Sequence, residues 1–130
     1  MEDLFVLVAD DNALIRELLR TVLESELGVE SLSVANGIEA IQVIDQSKPV
    51  LVVLDIEMPY VDGLEVARWM KANSATRDIP IILLTASDDA RWQAQTIGCD
   101  HYLQKPFDLR HLVATIRACL PEEDILPKAA

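Results

Sequence analysis

Three short runs of apolar residues stand out along the chain, and each one stops at a polar residue. The runs occupy residues 4–9, 50–54 and 79–84. Unbroken apolar runs of this length are typical of parallel strands that are buried on both faces. Two further segments, 31–35 and 100–104, mix polar and apolar residues, as strands at the edges of a sheet do. The pattern therefore predicts five strands, three of them central and two at the edges.

Between and after these strands, apolar residues recur at helical spacing. The spacing predicts five helices, over 13–27, 38–48, 64–71, 88–97 and 109–120. Asn12 is a favourable cap for the first helix, and Gly28 is a favourable stop for it. Five alternations of strand and helix favour a doubly wound α/β fold, in which helices cover both faces of one parallel sheet. With the mixed strands at the edges, the strand order is 2-1-3-4-5, which is flavodoxin-like.

Polar residues at the ends of the strands form the candidate site. In such a sheet, ligands bind beyond the carboxyl ends of the strands, at the switch point between strands 1 and 3. Five polar residues follow strands and are expected to converge there, namely Asp10, Asp11, Asp55, Thr85 and Lys105. Clustered carboxylates repel one another unless a cation compensates, and Mg²⁺ is the usual choice where phosphate is involved. An aspartate nucleophile in this setting gives an acyl phosphate.

Composition and charge exclude several functions. The 130 residues include 22 acidic and 11 basic ones, a net charge of −11, and the basic residues form no cluster that would bind nucleic acid. No apolar run reaches the ~18 residues of a membrane span, and the acidic start is not a signal peptide. Cys99 and Cys119 form no ligand pair and are typical of packing residues in a reducing compartment. We expect a cytoplasmic domain over 1–121, with 122–130 as a C-terminal tail or truncated linker.

The strand-end residues and their neighbours resemble the receiver domain of bacterial two-component response regulators. The resemblance covers about residues 3–120, and its motifs lie in 8–12, 55–59 with 62–63, and 102–107, in the order found in that family. It implies that Asp55 accepts a phosphoryl group from a sensor histidine kinase or a phosphotransfer protein. It also implies that Mg²⁺ is held by Asp10, Asp11, Asp55 and the backbone carbonyl of Glu57.

The same resemblance assigns roles at the ends of the fourth and fifth strands. Lys105 is expected to pair with the phosphoryl group, and Pro106 is expected to follow a cis peptide bond. Thr85 and Tyr102 match the switch pair whose movement reports phosphorylation. The protein is then a switch that phosphorylates and dephosphorylates itself, rather than a turnover enzyme.

The output face is expected to comprise helix 4, strand 5 and helix 5, which would contact a downstream protein or a tethered output domain. Helix 4 has a thin apolar stripe, and a helix that buries little is easily moved. Trp92 on that helix is either an exposed anchor or packs inward, whereas Trp69 is expected to cover the sheet. His101 replaces the acid that precedes the switch tyrosine in winged-helix regulators, which weakens the case for their dimer. The chain is expected to be a monomer or a phosphorylation-dependent homodimer.

Glu57 is individual to this chain and has two interpretations. Its side chain points to solvent or pairs with Lys105 or Arg91, or it acts with Ser87 to tune water access to the acyl phosphate.

Three other functions fit the sequence less well. A metal-dependent phosphohydrolase needs a second Asp where Glu57 stands. A flavin or nucleotide carrier would repel its phosphate at the aspartates of 10–12. A pseudo-receiver that is never phosphorylated usually lacks the site residues, and this chain retains them.

Overall fold

Five parallel strands form one sheet in the computed structural model, which describes residues 4–99 and 101–120. The strands are β1 (Phe5–Ala9), β2 (Glu30–Val34), β3 (Leu51–Asp55), β4 (Ile81–Thr85) and β5 (His101–Gln104). The helices are α1 (Ala13–Val22), α2 (Gly37–Ser47), α3 (Gly63–Ala72), α4 (Ala90–Ile97) and α5 (Leu109–Cys119). The strand order is β2-β1-β3-β4-β5, and every pairing is parallel. The predicted flavodoxin-like fold is confirmed.

Alternation along the central strands divides the core into two layers. In β3, Val52 and Leu54 face one layer, together with residues of α2, α3 and α4. Leu51 and Val53 face the other layer, together with residues of α1 and α5. Every residue of β3 and β4 is buried, while β2 and β5 are partly exposed. The unbroken and mixed apolar patterns therefore distinguished central strands from edge strands correctly.

The end of the first helix differs from the prediction of one helix over 13–27. The α-helix ends at Val22, and a π-helical segment, Leu23–Leu27, continues it as far as Gly28. A π turn is wider than an α turn, and Leu23 and Leu27 are both fully buried. Gly28 then closes the segment at a φ of 62°, in the left-handed region that glycine adopts without strain.

The other boundaries lie close to the predicted ones. Strand β2 begins at Glu30, one residue before the predicted strand, and α4 begins at Ala90 rather than at residue 88. Residue 100, predicted to open β5, and the tail 122–130 lie outside the described residues. Within the described ranges, no helix is both long enough and apolar enough to cross a membrane.

The two tryptophans have different environments. Trp92, on α4, is 73% exposed and so does not pack inward, while its role as an interface anchor stays a prediction. Trp69, on α3, is partly buried against the core, as expected. Cys99 is buried in the same layer of the core, and Cys119 packs against the other layer.

Candidate functional site

The carboxyl ends of four strands meet at one edge of the sheet and bring the candidate residues together. Asp10 follows β1 and Asp55 ends β3, and these two strands are direct neighbours in the sheet. Thr85 ends β4, where it lies beside Gln104 of β5. Lys105 follows Gln104 directly, and its backbone N–H donates to the carbonyl oxygen of Thr85 at 2.6 Å. Residues far apart in the sequence are thus assembled by the register of the strands.

Three aspartates form a compact cluster of oxygen atoms. Asp10, Asp11 and Asp55 each offer a carboxylate oxygen, and these atoms lie within 4.8 Å of one another. Asp10 and Asp55 are almost completely buried, whereas Asp11 is exposed. Magnesium prefers hard oxygen ligands and usually keeps several waters, so two buried carboxylates and one facing solvent fit it. The described residues therefore fit the metal that the sequence predicts.

Lys105 connects the two buried carboxylates. Its Nζ lies 3.1 Å from Oδ2 of Asp10 and 3.3 Å from Oδ2 of Asp55. Burial by itself lowers the pKa of the ammonium, but the hydrogen bonds and charges of the two aspartates outweigh it, and the pKa lies above its ordinary value. Lys105 is therefore cationic at neutral pH. The peptide bond that follows it, to Pro106, is cis.

The acidity of Asp55 is strongly perturbed. Burial and the neighbouring charge of Asp10 raise the pKa of Asp55 from 3.8 to about 7. Lys105 and the backbone N–H of Glu57, which donates to Oδ1 of Asp55 at 3.2 Å, act in the opposite direction without cancelling the increase. The ammonium of Lys105 alone therefore does not compensate the negative charge of the cluster, and a further cation would favour the ionised form of Asp55.

Asp10 is fixed by contacts around the turn between β1 and α1. Its Oδ1 accepts from the backbone N–H of Asn12 at 2.9 Å, and its carbonyl oxygen accepts from Nη1 of Arg16 at 2.8 Å. The side chain of Asn12 caps α1 by accepting from two backbone N–H groups. Arg16 was not among the predicted site residues, because an arginine on an amphipathic helix gives no signal of what it contacts.

Glu57 has partners that the sequence did not indicate. Its Oε2 accepts from the hydroxyl of Thr85 at 2.9 Å, and its Oε1 accepts from the backbone N–H of Ala86 at 2.9 Å. The ion pairs of Lys105 are with Asp10 and Asp55 instead. Thr85 is almost completely buried, and its hydroxyl oxygen also accepts from the backbone N–H of Ser87 at 3.0 Å.

A glycine allows the loop after β3 to return close to Asp55. A Cβ atom at Gly63 would lie 2.3 Å from the carbonyl oxygen of Asp55, so any side chain there would displace the backbone of the candidate acceptor. Gly63 also donates its N–H to the carbonyl of Ile56 at 3.0 Å. Asp62 caps α3, and its contacts with Glu65 form a capping box. The start of α3 therefore holds the loop against the site.

The remaining predicted residues lie on the side of the site that faces α4 and α5. Tyr102 is 37% exposed, and it lines an open cavity of about 450 Å³ together with His101, His111 and Pro106. The side chain of Gln104 donates to Oδ1 of Asp88 at 2.6 Å and so joins β5 to the loop before α4.

The fold and this site define a class of protein, a doubly wound α/β domain with an acidic site at its switch point. A family model for the response regulator receiver domain matches residues 6–117. The chain belongs to the response regulator receiver domain family.

Two curated relatives and one solved structure illustrate the range of similar proteins. The chain is 43% identical over 117 residues to the phosphate regulon transcriptional regulatory protein PhoB of Pseudomonas aeruginosa, covering 88% of this chain and 51% of that protein. It is 34% identical over 119 residues to the polar-differentiation response regulator DivK of Brucella anthropi, covering 88% and 94% respectively. The chain thus spans about half of the first relative and nearly all of the second.

The solved structure is the signal receiver domain of a signal transduction histidine kinase from Syntrophus aciditrophicus. Its TM-score is 0.84 at 29% sequence identity, and the match covers 97% of this chain and 96% of that one. Similar receiver domains therefore occur in proteins of different overall organisation.

Proposed function

We propose that this receiver domain is a phosphorylation-dependent switch in which Asp55 accepts a phosphoryl group from the phosphohistidine of a sensor kinase or phosphotransfer protein. The observation that carries the proposal is the position of Asp55, buried beside Asp10 and bonded to Lys105 at 3.3 Å. A carboxylate oxygen of Asp55 attacks phosphorus, the P–N bond breaks, and its electron pair returns to the imidazole nitrogen. Later attack by water releases phosphate and restores the carboxylate.

The acidic cluster is the proposed magnesium site. Asp10, Asp11 and Asp55 would hold the ion with their carboxylates, and Glu57 would do so with its backbone carbonyl. The ion supplies charge compensation for the transferring phosphoryl group when it is bound. Lys105 places a positive charge 3.3 Å from Oδ2 of Asp55, where the phosphoryl group would be attached. This position supports its role as the partner of the phosphoryl group.

Thr85 and Ala86 supply the hydrogen-bond donors of the switch. The Thr85 hydroxyl and the Ala86 N–H both donate to the carboxylate of Glu57. In the phosphorylated state, the phosphoryl oxygens would accept these two bonds instead. Movement of Thr85 and Tyr102 would then alter the face formed by α4, β5 and α5. Two observations support this output face, namely the 73% exposure of Trp92 and the bond between Gln104 and Asp88.

The partner of that face is a downstream protein or an output domain in the same chain. The chain spans 94% of the response regulator DivK but 51% of the transcriptional regulatory protein PhoB, so it has relatives of both lengths. We propose a cytoplasmic switch, either monomeric or dimerising on phosphorylation, that does not turn over a small substrate. The engagement of Glu57 by Thr85 and Ala86 supports this over a phosphohydrolase, which needs a general acid at that position.

The test is intact-mass spectrometry after incubation with acetyl phosphate, with and without Mg²⁺, on the wild type and on Asp55→Asn. We expect a Mg²⁺-dependent gain of one phosphoryl group in the wild type and none in the variant. The absence of an adduct after rapid quenching, together with failure to bind the phosphoryl mimic beryllofluoride, would contradict the proposed function.

A further inference from the structure

The carboxylate of Glu57 occupies two donors at once. Its two oxygen atoms accept one bond each, from the Thr85 hydroxyl and the Ala86 N–H, both at 2.9 Å. These donors belong to the end of β4 and the first residue after it, whereas Glu57 lies in the loop after β3. An anionic group with two acceptor oxygens is therefore already bound where the proposed function places the oxygens of the phosphoryl group.

We propose that Glu57 is an internal competitor of the phosphoryl group, holding the Thr85 and Ala86 donors until phosphorylation displaces it. This inference rests on the proposed function, which assigns the same two donors to the phosphorylated state. One donor pair cannot bond fully to two anionic groups, and two anions close together also repel each other. Formation of the phosphorylated state therefore requires the side chain of Glu57 to leave.

The surroundings of Glu57 make its departure possible. The residue is exposed, so its carboxylate can exchange two bonds to the protein for bonds to water. Within the described part of the chain, no cation forms an ion pair with Glu57 that would have to be broken first. The contact with the two donors is therefore weak enough for a covalently attached phosphoryl group to replace it.

The same contact holds the loop before α4. The hydroxyl oxygen of Thr85 accepts from the Ser87 N–H at 3.0 Å, and Oγ of Ser87 accepts from the Asp89 N–H at 3.1 Å. Asp89 precedes the first residue of α4. Glu57 is thus the first acceptor in a series of bonds that leads from the site to the proposed output face.

Beryllofluoride with saturating Mg²⁺ is a suitable probe, because it mimics the phosphoryl group without covalent chemistry. Its dissociation constant is measured for the wild type, Glu57→Ala and Glu57→Asp by NMR titration. The backbone amide resonance of Ala86 in each protein, recorded before the probe is added, reports whether the contact with residue 57 is present. We expect the Ala86 resonance to shift in Glu57→Ala, and the probe to bind about tenfold more tightly than to the wild type.

Glu57→Asp separates the contact from the charge. It keeps the negative charge, but its side chain is one methylene shorter and cannot span both donors from the same backbone position. We expect a shifted Ala86 resonance and a gain in affinity comparable to that of Glu57→Ala. The inference would be overturned if Glu57→Ala alone bound beryllofluoride more tightly, while Glu57→Asp bound it as the wild type does despite a shifted Ala86 resonance. That result would show that the negative charge at residue 57, and not its contact with the two donors, sets the affinity.

The outcomes also separate this inference from the proposed function. Equal affinity of all three proteins for beryllofluoride, with a shifted Ala86 resonance in the variants, would overturn the competition and leave the switch intact. Failure of all three proteins to bind the probe would overturn the proposed function and the inference that rests on it. Tighter binding of beryllofluoride by the two variants than by the wild type, together with a shifted Ala86 resonance, would support both the proposed function and the competition by Glu57.

Discussion

Nζ of Lys105 lies 3.3 Å from Oδ2 of Asp55, although the strands that bring the two residues to the site, β5 and β3, are not neighbours in the sheet. Lys105 comes after the edge strand β5, Asp55 ends β3, and β4 lies between them. The long lysine side chain spans this distance and places its charge beside a carboxylate whose pKa burial raises, which opposes that increase without cancelling it. The pair connects the edge of the sheet, where the proposed output face lies, with the proposed acceptor at its centre.

Replacing Lys105 with methionine should weaken both the fold and the reaction. The change leaves the buried carboxylates of Asp10 and Asp55 without their cation, so we expect the free energy of unfolding at pH 8 in chelator to fall by about 2 kcal/mol. Acetyl phosphate should no longer give a stable adduct. Denaturant titration and intact mass measure the two effects. The control is Lys71→Met, since Nζ of Lys71 bonds among the described residues to the surface carbonyl of Arg77. It should lower neither the free energy of unfolding nor the yield of adduct by a comparable amount.

The acidity of Asp55 predicts how stability depends on pH. Burial raises the pKa of Asp55 to about 7, so the folded state keeps a proton that the unfolded state has already lost above its ordinary pKa of 3.8. Metal-free protein should therefore lose stability as the pH rises from about 4 to about 7. Asp55→Asn removes this loss, and because a shift of about three pKa units corresponds to about 4 kcal/mol, we expect it to be more stable than the wild type by up to about 4 kcal/mol at pH 8.

The control for that prediction is an exposed acid far from the site. Asp45 lies on α2 and is exposed, so Asp45→Asn should give the same stability difference from the wild type at pH 5 and pH 8. For Asp55→Asn, the difference should grow between these pH values. A constant difference would show that Asp55 is ionised throughout and that its burial is compensated without a metal.

Asp11 should matter for magnesium but not for the fold. It is the exposed member of the oxygen cluster, so Asp11→Asn replaces a charged candidate ligand with a neutral amide oxygen without leaving a buried group unpaired. We expect Mg²⁺ to bind about tenfold more weakly, while the denaturation midpoint in chelator stays within experimental error of the wild type. Isothermal titration calorimetry measures the first quantity. Unchanged Mg²⁺ affinity would exclude Asp11 as a ligand.

Much of the fold could be predicted because burial on both faces leaves an unbroken apolar run, as in β3 and β4. The convergence of Asp10, Asp55 and Lys105 followed from the same pattern, since parallel strands end at one edge. The contacts of Glu57 could not be predicted, because they depend on torsion angles of an exposed side chain and on a loop with no periodicity. The π-helical segment after α1 was also missed, since its leucines fit an ordinary helical repeat.

Gly63 and Gly98 should respond differently to substitution by alanine. The Cβ of Gly63→Ala would meet the carbonyl of Asp55 at 2.3 Å, so we expect a loss of more than about 2 kcal/mol of stability and of phosphorylation as well. Gly98 has a φ of 91°, and among the described residues no heavy atom outside Gly98 and its chain neighbours lies within 4 Å of an added Cβ. Gly98→Ala should therefore cost about 1 kcal/mol through backbone strain alone and should leave phosphorylation intact.

Trp92 should report the switch without supporting the fold. Because its side chain is 73% exposed, we expect Trp92→Ala to change the free energy of unfolding by less than about 0.5 kcal/mol. Trp69→Ala, which removes a ring packed against the core, should cost about 2 kcal/mol or more. In Trp69→Phe, where Trp92 is the remaining tryptophan, beryllofluoride and Mg²⁺ should change the fluorescence emission if α4 moves on activation. No change, in a protein shown by NMR to have bound the probe, would mean that the environment of Trp92 is not coupled to the site.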